Sequence, residues 1–256
     1  MEIRAATKDD SEAIKEFLRK NDPDDYILDR IDRWLENNTV FIVVKKRVIG
    51  LSRLKYTPDG KAWLGGMRID KNDRRQGIGT LLTEHTMEAA EAKKAQLFTS
   101  EKNIAACNQV KKMGFEPKGR YTLMYYEIGD EKPCKLKKEK IWGKVKNSKI
   151  LKENNFLLAR GFTFYKISPE LIGEGYTAED GYAAVEKMEK DGRCFEITYF
   201  KGEKIIDGLK YLSLKSNYKK LWALIPRDVG LISILLKKGF RYEKWAKWAI
   251  VFEKKL

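Results

Sequence analysis

The chain has 256 residues, of which 43% are hydrophobic and 35% are charged, and this balance excludes an intrinsically disordered protein. No apolar run approaches the ~20 residues of a membrane span, and the charged start "MEIRAATKDD" lacks the apolar segment of a secretory signal, so we expect no membrane partner. The formal net charge of +15 predicts either a polyanionic partner, such as nucleic acid, the ribosome or a phosphorylated cofactor, or a solvated surface rich in lysine and glutamate.

The first half of the chain alternates between strand-like and helix-like patterns. A first strand, "EIRAAT", precedes a helix capped by Thr7, and a second helix is predicted over "DPDDYILDRIDRWLEN". A hairpin ("TVFIVVKK", "RVIGLSRLKYT") and a strand ("KAWLGGMRID") lead to a glycine loop and to a helix that ends near residue 94. The strand "AQLFTSE", the helix "NIAACNQVKKMG" and the strand "RYTLMYYEI" complete the order β-α-α-β-β-β-α-β-α-β.

The second half is less regular. Strands are predicted in "NFLLARGFTFYKI", and "CFEITYFKGEKIIDGLKYLSLK" is interpreted as a hairpin that turns at Lys201-Gly202. A helix is predicted for "AEDGYAAVEKMEKDG", a strand for "KLWALI", a helix for "VGLISILLKKGF" and a last strand for "KWAIVFEKK". We therefore expect three parts: a domain over residues 1–128, a basic linker over 129–145 and a second domain over 146–256.

Three cysteines, Cys107, Cys134 and Cys194, lie far apart in the chain, and no CxxC pair occurs. An odd number at such spacing predicts neither a disulfide framework nor a zinc site. We therefore expect no metal and a reducing, cytoplasmic environment.

The stretch "RRQGIGT", residues 74–80, follows a predicted strand and precedes a predicted helix. The first turn of a helix has unpaired amides and the positive end of the helix dipole, so a glycine-rich turn at this place indicates an anion site. The stretch fits neither a P-loop, because no Lys-Thr follows the second glycine, nor a dinucleotide fingerprint, because the third glycine is replaced by Leu82.

The run from Arg74 to Gly79 resembles the (Gln/Arg)-x-x-Gly-x-(Gly/Ala) signature of the GNAT N-acetyltransferase superfamily. A second signature of that family, Asn-x-x-Ala followed by Gly-Phe, is matched by Asn103, Ala106 and the pair Gly114-Phe115. The resemblance covers residues 1 to about 128 and implies the GNAT fold, a mixed α/β (α+β) fold of the acyl-CoA N-acyltransferase type. It also implies an N-acetyltransferase with acetyl-CoA as cosubstrate.

The resemblance implies which residues hold acetyl-CoA. The glycine loop would bind the pyrophosphate, and the strand before it, where Gly65-Gly66 predicts a bulge, would pair with the pantetheine arm. The implied cofactor-binding residues are Met67, Arg68, Ile69, Arg74, Arg75, Gln76, Gly77, Ile78, Gly79, Thr80, Asn103 and Ala106.

Proton transfer is where this sequence departs from the family pattern. Trp63, Phe98 and Val110 stand at the three places where family members commonly carry an ionisable group. Substitutes could be Glu101, Cys107, Tyr125 or Tyr126, or water relayed to a carboxylate of the second half. Alternatively, Glu101 is a surface carboxylate and Cys107 a buried structural cysteine.

His85, the only histidine, shares a helix face with Ile78 and Leu82 and is interpreted as a residue at the edge of the core. The chain is then an N-acetyltransferase acting on an unidentified amine, a non-catalytic acyl-CoA-binding module, or a protein of the same fold that binds nucleic acid or the ribosome.

The two halves share a short repeat with a shift of 125 residues. Lys112, Gly114 and Phe115 recur as Lys237, Gly239 and Phe240, and Asn103 falls opposite Asp228. We therefore expect a second, smaller and degenerate GNAT-like unit. Because only "SNY" separates "YLSLK" from "KLWALI", we expect that unit to lack both the glycine loop and its helix. It would then border the acceptor site without binding CoA.

Overall fold

The computed structural model describes residues 1–37, 39–188 and 194–256. The chain divides into two compact units, which are described separately below. The first consists of Met1–Leu97, Lys112–Gly114 and Glu253–Leu256, and the second of Phe98–Lys111 and Phe115–Phe252. Among the described helices, none is long and apolar enough to cross a membrane.

The first unit is built on an antiparallel sheet with helices packed against it. Its strands are β1 (Glu2–Ala5), β2 (Val40–Val44), β3 (Val48–Tyr56), β4 (Ala62–Ile69) and the beginning of β5 (Lys94–Ser100). Its helices are α1 (Ser11–Asn21), α2 (Ile31–Leu35) and α3 (Ile78–Glu88), with 3-10 turns at Lys8–Asp10 and Lys71–Asp73. The strands lie in the order β1-β2-β3-β4-β5, and only β4 and β5 are parallel among the pairs described in this unit.

The predicted second helix is much shorter than expected. It was predicted over residues 22–37, but only Ile31–Leu35 is helical. The carboxylates of Asp22 and Asp25 accept hydrogen bonds from the backbone amides two residues further on, at 3.1 Å each. Such local bonds offer the backbone an alternative to the helix, and they hold the segment before α2 in turns. The helix α3 likewise ends at Glu88, before the predicted end near residue 94.

Strand β4 contains the bulge that its two glycines predict. Arg53 of β3 pairs with Gly65, and Leu51 pairs with Arg68, so Gly66 and Met67 together face the single residue between Leu51 and Arg53. Gly66 has φ +64°, a conformation that favours glycine. A Cβ built on Gly66 would lie 3.2 Å from the Trp34 ring. In the described chain, the parallel pairing of β4 with β5 is confined to residues 62–63 and 95–96.

Residues Glu253–Leu256 belong to the first unit although they follow the whole second unit in sequence. The Glu253 carboxylate is largely buried and forms ion pairs with Lys94 at 2.8 Å and with Lys61 at 3.3 Å. The Leu256 amide donates to the Lys93 carbonyl oxygen at 3.0 Å. This segment is therefore anchored to the first unit by both side-chain and backbone contacts.

The second unit has its own mixed sheet. Its elements are α4 (Ile104–Lys112, up to Lys111), β6 (Glu116–Glu127), β7 (Lys137–Lys138), α5 (Trp142–Val145), α6 (Lys149–Glu153), β8 (Leu157–Arg160), β9 (Thr163–Lys166), β10 (Glu174–Ala178), β11 (Gly181–Met188), β12 (Cys194–Lys201), α7 (Lys204–Lys215), β13 (Lys220–Pro226), α8 (Val229–Lys237), β14 (Arg241–Tyr242) and β15 (Ala249–Lys255, up to Phe252). The strand order is β6-β13-β12-β11-β10-β7, and β12 and β13 are parallel.

Two predictions for this unit are wrong. The helix predicted over residues 178–192 is strand β11 up to Met188, and residues 189–192 lie outside the described residues. The hairpin predicted around Gly202 is strand β12 followed by helix α7. The helix thought to be missing from the repeat is therefore present, because Ile205, Ile206 and Leu209 form a buried helical face that connects two parallel strands.

Helices α4 and α8 begin in the same way. The Asn103 side-chain oxygen accepts from the Ala106 amide at 3.2 Å. The Asp228 side-chain oxygen accepts from the Leu231 amide at 2.9 Å. The capping residue and the amide that it binds in α4 therefore correspond, at the shift of 125 residues, to those of α8.

The two helices also end in the same way. Gly114 has φ +82° and Gly239 has φ +83°, the left-handed conformation in which glycine ends a helix. In both, the amide of the following phenylalanine, Phe115 or Phe240, donates at 3.0 Å to the carbonyl oxygen five residues earlier. The sequence repeat thus corresponds to a repeat of local structure.

Candidate functional site

The glycine loop of the first unit ends at an open helix N-terminus. Gly77 is the N-cap of α3 with φ +77°, and it brings no side chain to the cap. The amides of Thr80 and Leu81 are the first to bond within the helix, both to the Gly77 carbonyl oxygen, so those of Ile78 and Gly79 precede them. No acidic residue lies in the first turn. This helix end can therefore accept an anion from solvent.

The loop before α3 is held in place by a buried carboxylate. Asp70 is 1% exposed and accepts from the Asn72 amide at 2.9 Å and from the Arg47 guanidinium at 2.6 Å. Burial alone would raise the pKa of Asp70, but these two hydrogen bonds outweigh burial, and its pKa lies below the usual range. Arg74 donates to the backbone carbonyl of Ile69 at 3.1 Å, while the side chain of Arg75 is exposed.

Strand β4 changes character at its bulge. Ala62, Trp63 and Leu64 are buried, whereas residues 65–69 are only half-buried. Of the predicted pantetheine contacts, Arg68 has a specific side-chain partner: its guanidinium binds the buried Asp25 carboxylate at 2.6 and 3.2 Å. Residues 67–69 therefore lie on a half-buried stretch of strand just before the glycine loop.

A cavity of about 510 Å³ lies next to these residues in the first unit. It is lined by Asn21, Asp22, Pro23, Asp25, Arg68, Lys71 and Arg74. Two of the predicted cofactor-binding residues, Arg68 and Arg74, thus share a wall with the segment that follows α1.

Trp63, Phe98 and Val110, the apolar residues at the expected proton-transfer positions, all lie in packed surroundings. Trp63 and Val110 are buried, and the Phe98 ring packs 5.2 Å from that of Phe164 and 6.1 Å from that of Trp245. These side chains serve packing.

The suggested substitutes lie in the second unit and have other partners. The Glu101 carboxylate binds Arg227 at 2.8 Å and Arg120 at 3.4 Å, so both of its oxygens face guanidinium groups. The Cys107 thiol is buried and donates to a backbone carbonyl, and burial raises its pKa, so it stays protonated at neutral pH. The half-buried Tyr125 ring packs 5.6 Å from that of Trp222.

Other predicted site residues are also placed. Asn103 caps α4, and Ala106 donates to that cap, both within the second unit. His85 lies on α3 with its ring 5.5 Å from that of Phe41, as a packing residue at the edge of the core would. In the described parts of the chain, no group of three His, Cys, Asp or Glu residues is arranged to hold a metal ion.

The corresponding helix of the second unit, α7, has an occupied N-terminus. The Asp180 carboxylate accepts from the amides of Glu203 at 2.7 Å and of Lys204 at 2.9 Å. Gly202 before them has φ +95°, and a Cβ there would lie 2.6 Å from the Asp180 carbonyl oxygen. A carboxylate of the chain itself thus occupies the amides that an external anion would need. No local sequence pattern indicates this contact, because it depends on the turn between β10 and β11.

A second feature that the sequence did not reveal is a group of arginines beside the bulge. Arg53 of β3 lies over the Trp34 ring, with its guanidinium carbon 4.2 Å from the ring centroid, and its Nε is buried without a hydrogen-bond partner. The sequence offers no reason to select Arg53 from the 52 lysines and arginines of the chain.

Comparisons with known proteins give a family match and a fold. Residues 6–115 match the family model described as the Acetyltransferase (GNAT) family. No curated protein matches the chain. Among solved structures, the chain is similar to a GCN5-related N-acetyltransferase from Sphaerobacter thermophilus (13% identity, 99% of this chain and 95% of that chain covered, TM-score 0.61). It is also similar to a tandem GNAT protein from the clavulanic acid biosynthesis pathway (13% identity, 99% and 98% covered, TM-score 0.60). At these identities the likeness concerns the fold, and it confirms the predicted fold over the whole chain.

Proposed function

Because residues 6–115 of this chain are a domain of the GNAT acetyltransferase family, we propose that the protein is an N-acetyltransferase that transfers the acetyl group of acetyl-CoA to an amine. The observation that carries this proposal is the open N-terminus of α3 at the glycine loop. Its first-turn amides lack a side-chain cap and an acidic neighbour, which suits a pyrophosphate.

The backbone supplies most of the cofactor contacts in this proposal. The amides of residues 75–79 bind the pyrophosphate, and the half-buried stretch 67–69 pairs with the pantetheine arm. The Thr80 amide, also predicted as a contact, already donates to the Gly77 carbonyl oxygen. The bulge interrupts the regular pairing of β3 with β4 at Gly66 and Met67, and in this proposal the Met67 amide donates to the thioester oxygen. The contacts of Asn103 and Ala106 with the cofactor stay a prediction from the family resemblance.

The reaction is an attack of the amine nitrogen on the thioester carbon. The C–N bond forms, the carbonyl oxygen becomes negative in the tetrahedral intermediate, and the C–S bond then breaks. The nitrogen loses a proton to solvent, and the departing thiolate of CoA takes one up. The protein contributes the position of the thioester and a donor to its oxygen.

We further propose that no strong side-chain base assists the amine. The three usual positions are apolar, the Glu101 carboxylate lies between two arginines, and the Cys107 thiol can only donate a proton. Acceptors that lose a proton readily, such as α-amines with pKa values of ~7.7–8.0, should then react faster near neutral pH than lysine-like amines with pKa ~10.4.

The second unit does not bind CoA in this proposal, because Asp180 already occupies the first amides of α7. A pyrophosphate would have to displace a carboxylate that is covalently part of the same unit, and it would be repelled by Glu203 beside it. We therefore expect one CoA per chain.

The test is a pair of glycine variants. Gly77→Asp adds a negative side chain at the proposed phosphate site, and Gly60→Asp is its matched control. Gly60 has φ +78°, and a Cβ at either glycine would meet nothing within 4 Å, so the backbone strain of the two variants is similar. By isothermal titration with CoA, we expect Gly77→Asp to weaken binding at least a hundredfold and Gly60→Asp to bind like the wild type. Unchanged affinity in Gly77→Asp would contradict the assignment of the site.

A second candidate, a non-catalytic acyl-CoA-binding module, is favoured by the apolar side chains of Trp63, Phe98 and Val110. Measurement of CoA release from acetyl-CoA with a panel of amines separates the two. Tight CoA binding without turnover of any amine would support the binding module. If turnover occurs, Glu101→Gln and Cys107→Ser should leave it largely intact, and a loss in either variant would identify a proton-transfer group. Salt-dependent binding of RNA would support the nucleic-acid alternative.

A further inference from the structure

We propose that the acceptor amine also carries an anionic group, a carboxylate or a phosphate, and that the Arg53 guanidinium binds it beside the bulge of β4. This inference rests on the proposed acetyl transfer and adds the chemical class of the acceptor.

The first reason is that Arg53 lacks an anion. It is half-buried, its Nε has no hydrogen-bond partner, and none of the ion pairs in the described parts of the chain involves it. The neighbouring Arg68 has a buried carboxylate, Asp25, as its partner. A guanidinium removed from water without an anion is unfavourable unless a ligand supplies one.

The second reason is the positive surroundings. The pKa of Arg53 is lowered to about 10, mainly by burial. Tyr26 raises this pKa, whereas the positive charges of Arg33 and Arg30 lower it further. Arg30 and Arg68 both lie over the Tyr26 ring, at 5.4 and 5.6 Å from its centroid. At neutral pH Arg53 therefore stays charged in a cluster of like charges, which an oxyanion would stabilise.

The third reason is the shape of the site. The Trp34 ring is 4% exposed and lies beneath the guanidinium of Arg53. This contact fixes the guanidinium plane, and because Nε is buried, the two terminal NH2 groups are the ones left to bind a pair of carboxylate or phosphate oxygens. The guanidinium is thus positioned before any ligand arrives.

The fourth reason is the distance to the proposed reacting centre. A Cβ built on Gly66 would lie 3.6 Å from the Arg53 Cβ, so the arginine side chain starts at the bulge itself. The Met67 amide, the proposed donor to the thioester oxygen, is the next residue. An anion held by Arg53 would therefore lie within about one arginine side-chain length of the bulge. A small molecule that carries both the amine and the anion fits this separation.

The test compares matched acceptors that differ only in the anion. The pairs are amino acids with their amides, for the carboxylate, and O-phosphoethanolamine with ethanolamine, for the phosphate. Each is titrated into the CoA-saturated protein and is also assayed with acetyl-CoA by CoA release. The amine of an amino-acid amide loses its proton more readily than that of the acid, so simple reactivity works against the expected preference.

We expect the wild type to prefer the anionic member of at least one pair by tenfold or more, in binding and in kcat/KM. Arg53→Gln should abolish this preference while leaving the CoA affinity within about twofold of the wild type. Arg53→Lys should reduce the preference, because lysine keeps the positive charge but lacks the paired N–H groups of a guanidinium. Arg19→Gln, which removes an exposed arginine of α1, is the control and should keep the preference.

Several outcomes would overturn the inference while the proposed function stands. These are a wild type without any preference, a preference that survives in Arg53→Gln, and an equal loss with both members of each pair, which would assign Arg53 to the thioester. RNA binding that depends on Arg53 would assign it to nucleic acid. Failure of the wild type to bind CoA would instead refute the proposed function.

Discussion

Replacement of Asp180 by alanine should open the N-terminus of α7. The carboxylate accepts from two consecutive amides, those of Glu203 and Lys204, and it sits at the positive end of the helix dipole. Alanine removes both hydrogen bonds and the charge. Asparagine keeps one acceptor and removes only the charge.

The expected loss follows from these contacts. Removing an N-cap acceptor costs about 0.5–2 kcal/mol, and the values for this site should fall near 1–2 kcal/mol, because two amides lose a charged partner. Asp180 is exposed, so water replaces part of what is lost, and a larger effect is not expected. Asp180→Asn should lose about half as much.

The pH dependence of this effect has a defined sign. Burial alone would raise the pKa of Asp180, but the amide hydrogen bonds from Lys204 and Glu203 outweigh it, and the pKa lies below the usual range. The carboxylate therefore stabilises the folded state above its unfolded pKa of about 3.9, and this contribution is lost as the pH falls through the lower folded-state pKa. The difference between wild type and Asp180→Asn should be constant from about pH 5 to 8 and shrink below about pH 4.

Hydrogen exchange followed by mass spectrometry measures this loss locally. A loss of 1–2 kcal/mol should speed exchange in α7 by roughly 5–30-fold, with little change in α3. Asp130→Ala, which removes another exposed carboxylate of the second unit, is the control. Exchange in α7 that is unchanged by Asp180→Ala would refute the capping role. Binding of two CoA molecules by the wild type would refute its role in excluding the cofactor.

Three further predictions concern the reaction, the bulge and the end of the chain. The rate of acetyl transfer should rise with pH toward the pKa of each acceptor, so two acceptors of different pKa should give different profiles, and a bend at one shared pH would reveal an enzyme base. Gly66→Ala should lower the free energy of unfolding in urea by about 1–2 kcal/mol and weaken acetyl-CoA binding, because alanine is strained at φ +64° and its Cβ would crowd Trp34. A variant as stable as the wild type would contradict this strain. Glu253→Gln should cost about 1–3 kcal/mol at pH 7, because Lys61 and Lys94 lose their charged partner. Burial alone would raise the pKa of Glu253, but the two lysines outweigh it and the pKa lies below its ordinary value, so the difference should shrink as the pH falls below about 4, and an equal cost at pH 7 and at low pH would refute it.

Local signals predicted the parts of the site that depend on neighbouring residues. The glycine loop and the bulge at Gly65-Gly66 each need only a few consecutive residues to form, and both are present. Asn103 and Asp228, which the repeat places opposite each other, prove to be the caps of α4 and α8. The 125-residue repeat was visible for the same reason. Its residues begin or end a helix, and each of these roles requires a particular side-chain chemistry or backbone conformation in both halves.

The failures come from residues whose role is set by distant parts of the chain. The segment of β11 is rich in alanine, glutamate and lysine, which favour a helix, but it lies between β10 and β12 and buries residues 183–186 in the sheet. The pattern around Gly202 predicts a hairpin turn, but in the structure Gly202 precedes the helical crossover from β12 to β13. The pairing of Asp180 with α7 and the position of Arg53 over Trp34 join residues far apart in sequence, and neither leaves a local pattern.

The placement of Glu253–Leu256 in the first unit has a consequence for biosynthesis. Residues 115–252 are translated between the glycine-ended turn at Gly114 and this segment, which takes roughly 7–28 s at ~5–20 residues per second. Throughout that time Lys61 and Lys94 lack the carboxylate that they share in the finished protein. The nascent first unit is therefore incomplete while the second unit emerges, and a chaperone that binds early chains would meet it in this state. The first unit, whose translation begins first, is therefore also the last to acquire all of its contacts.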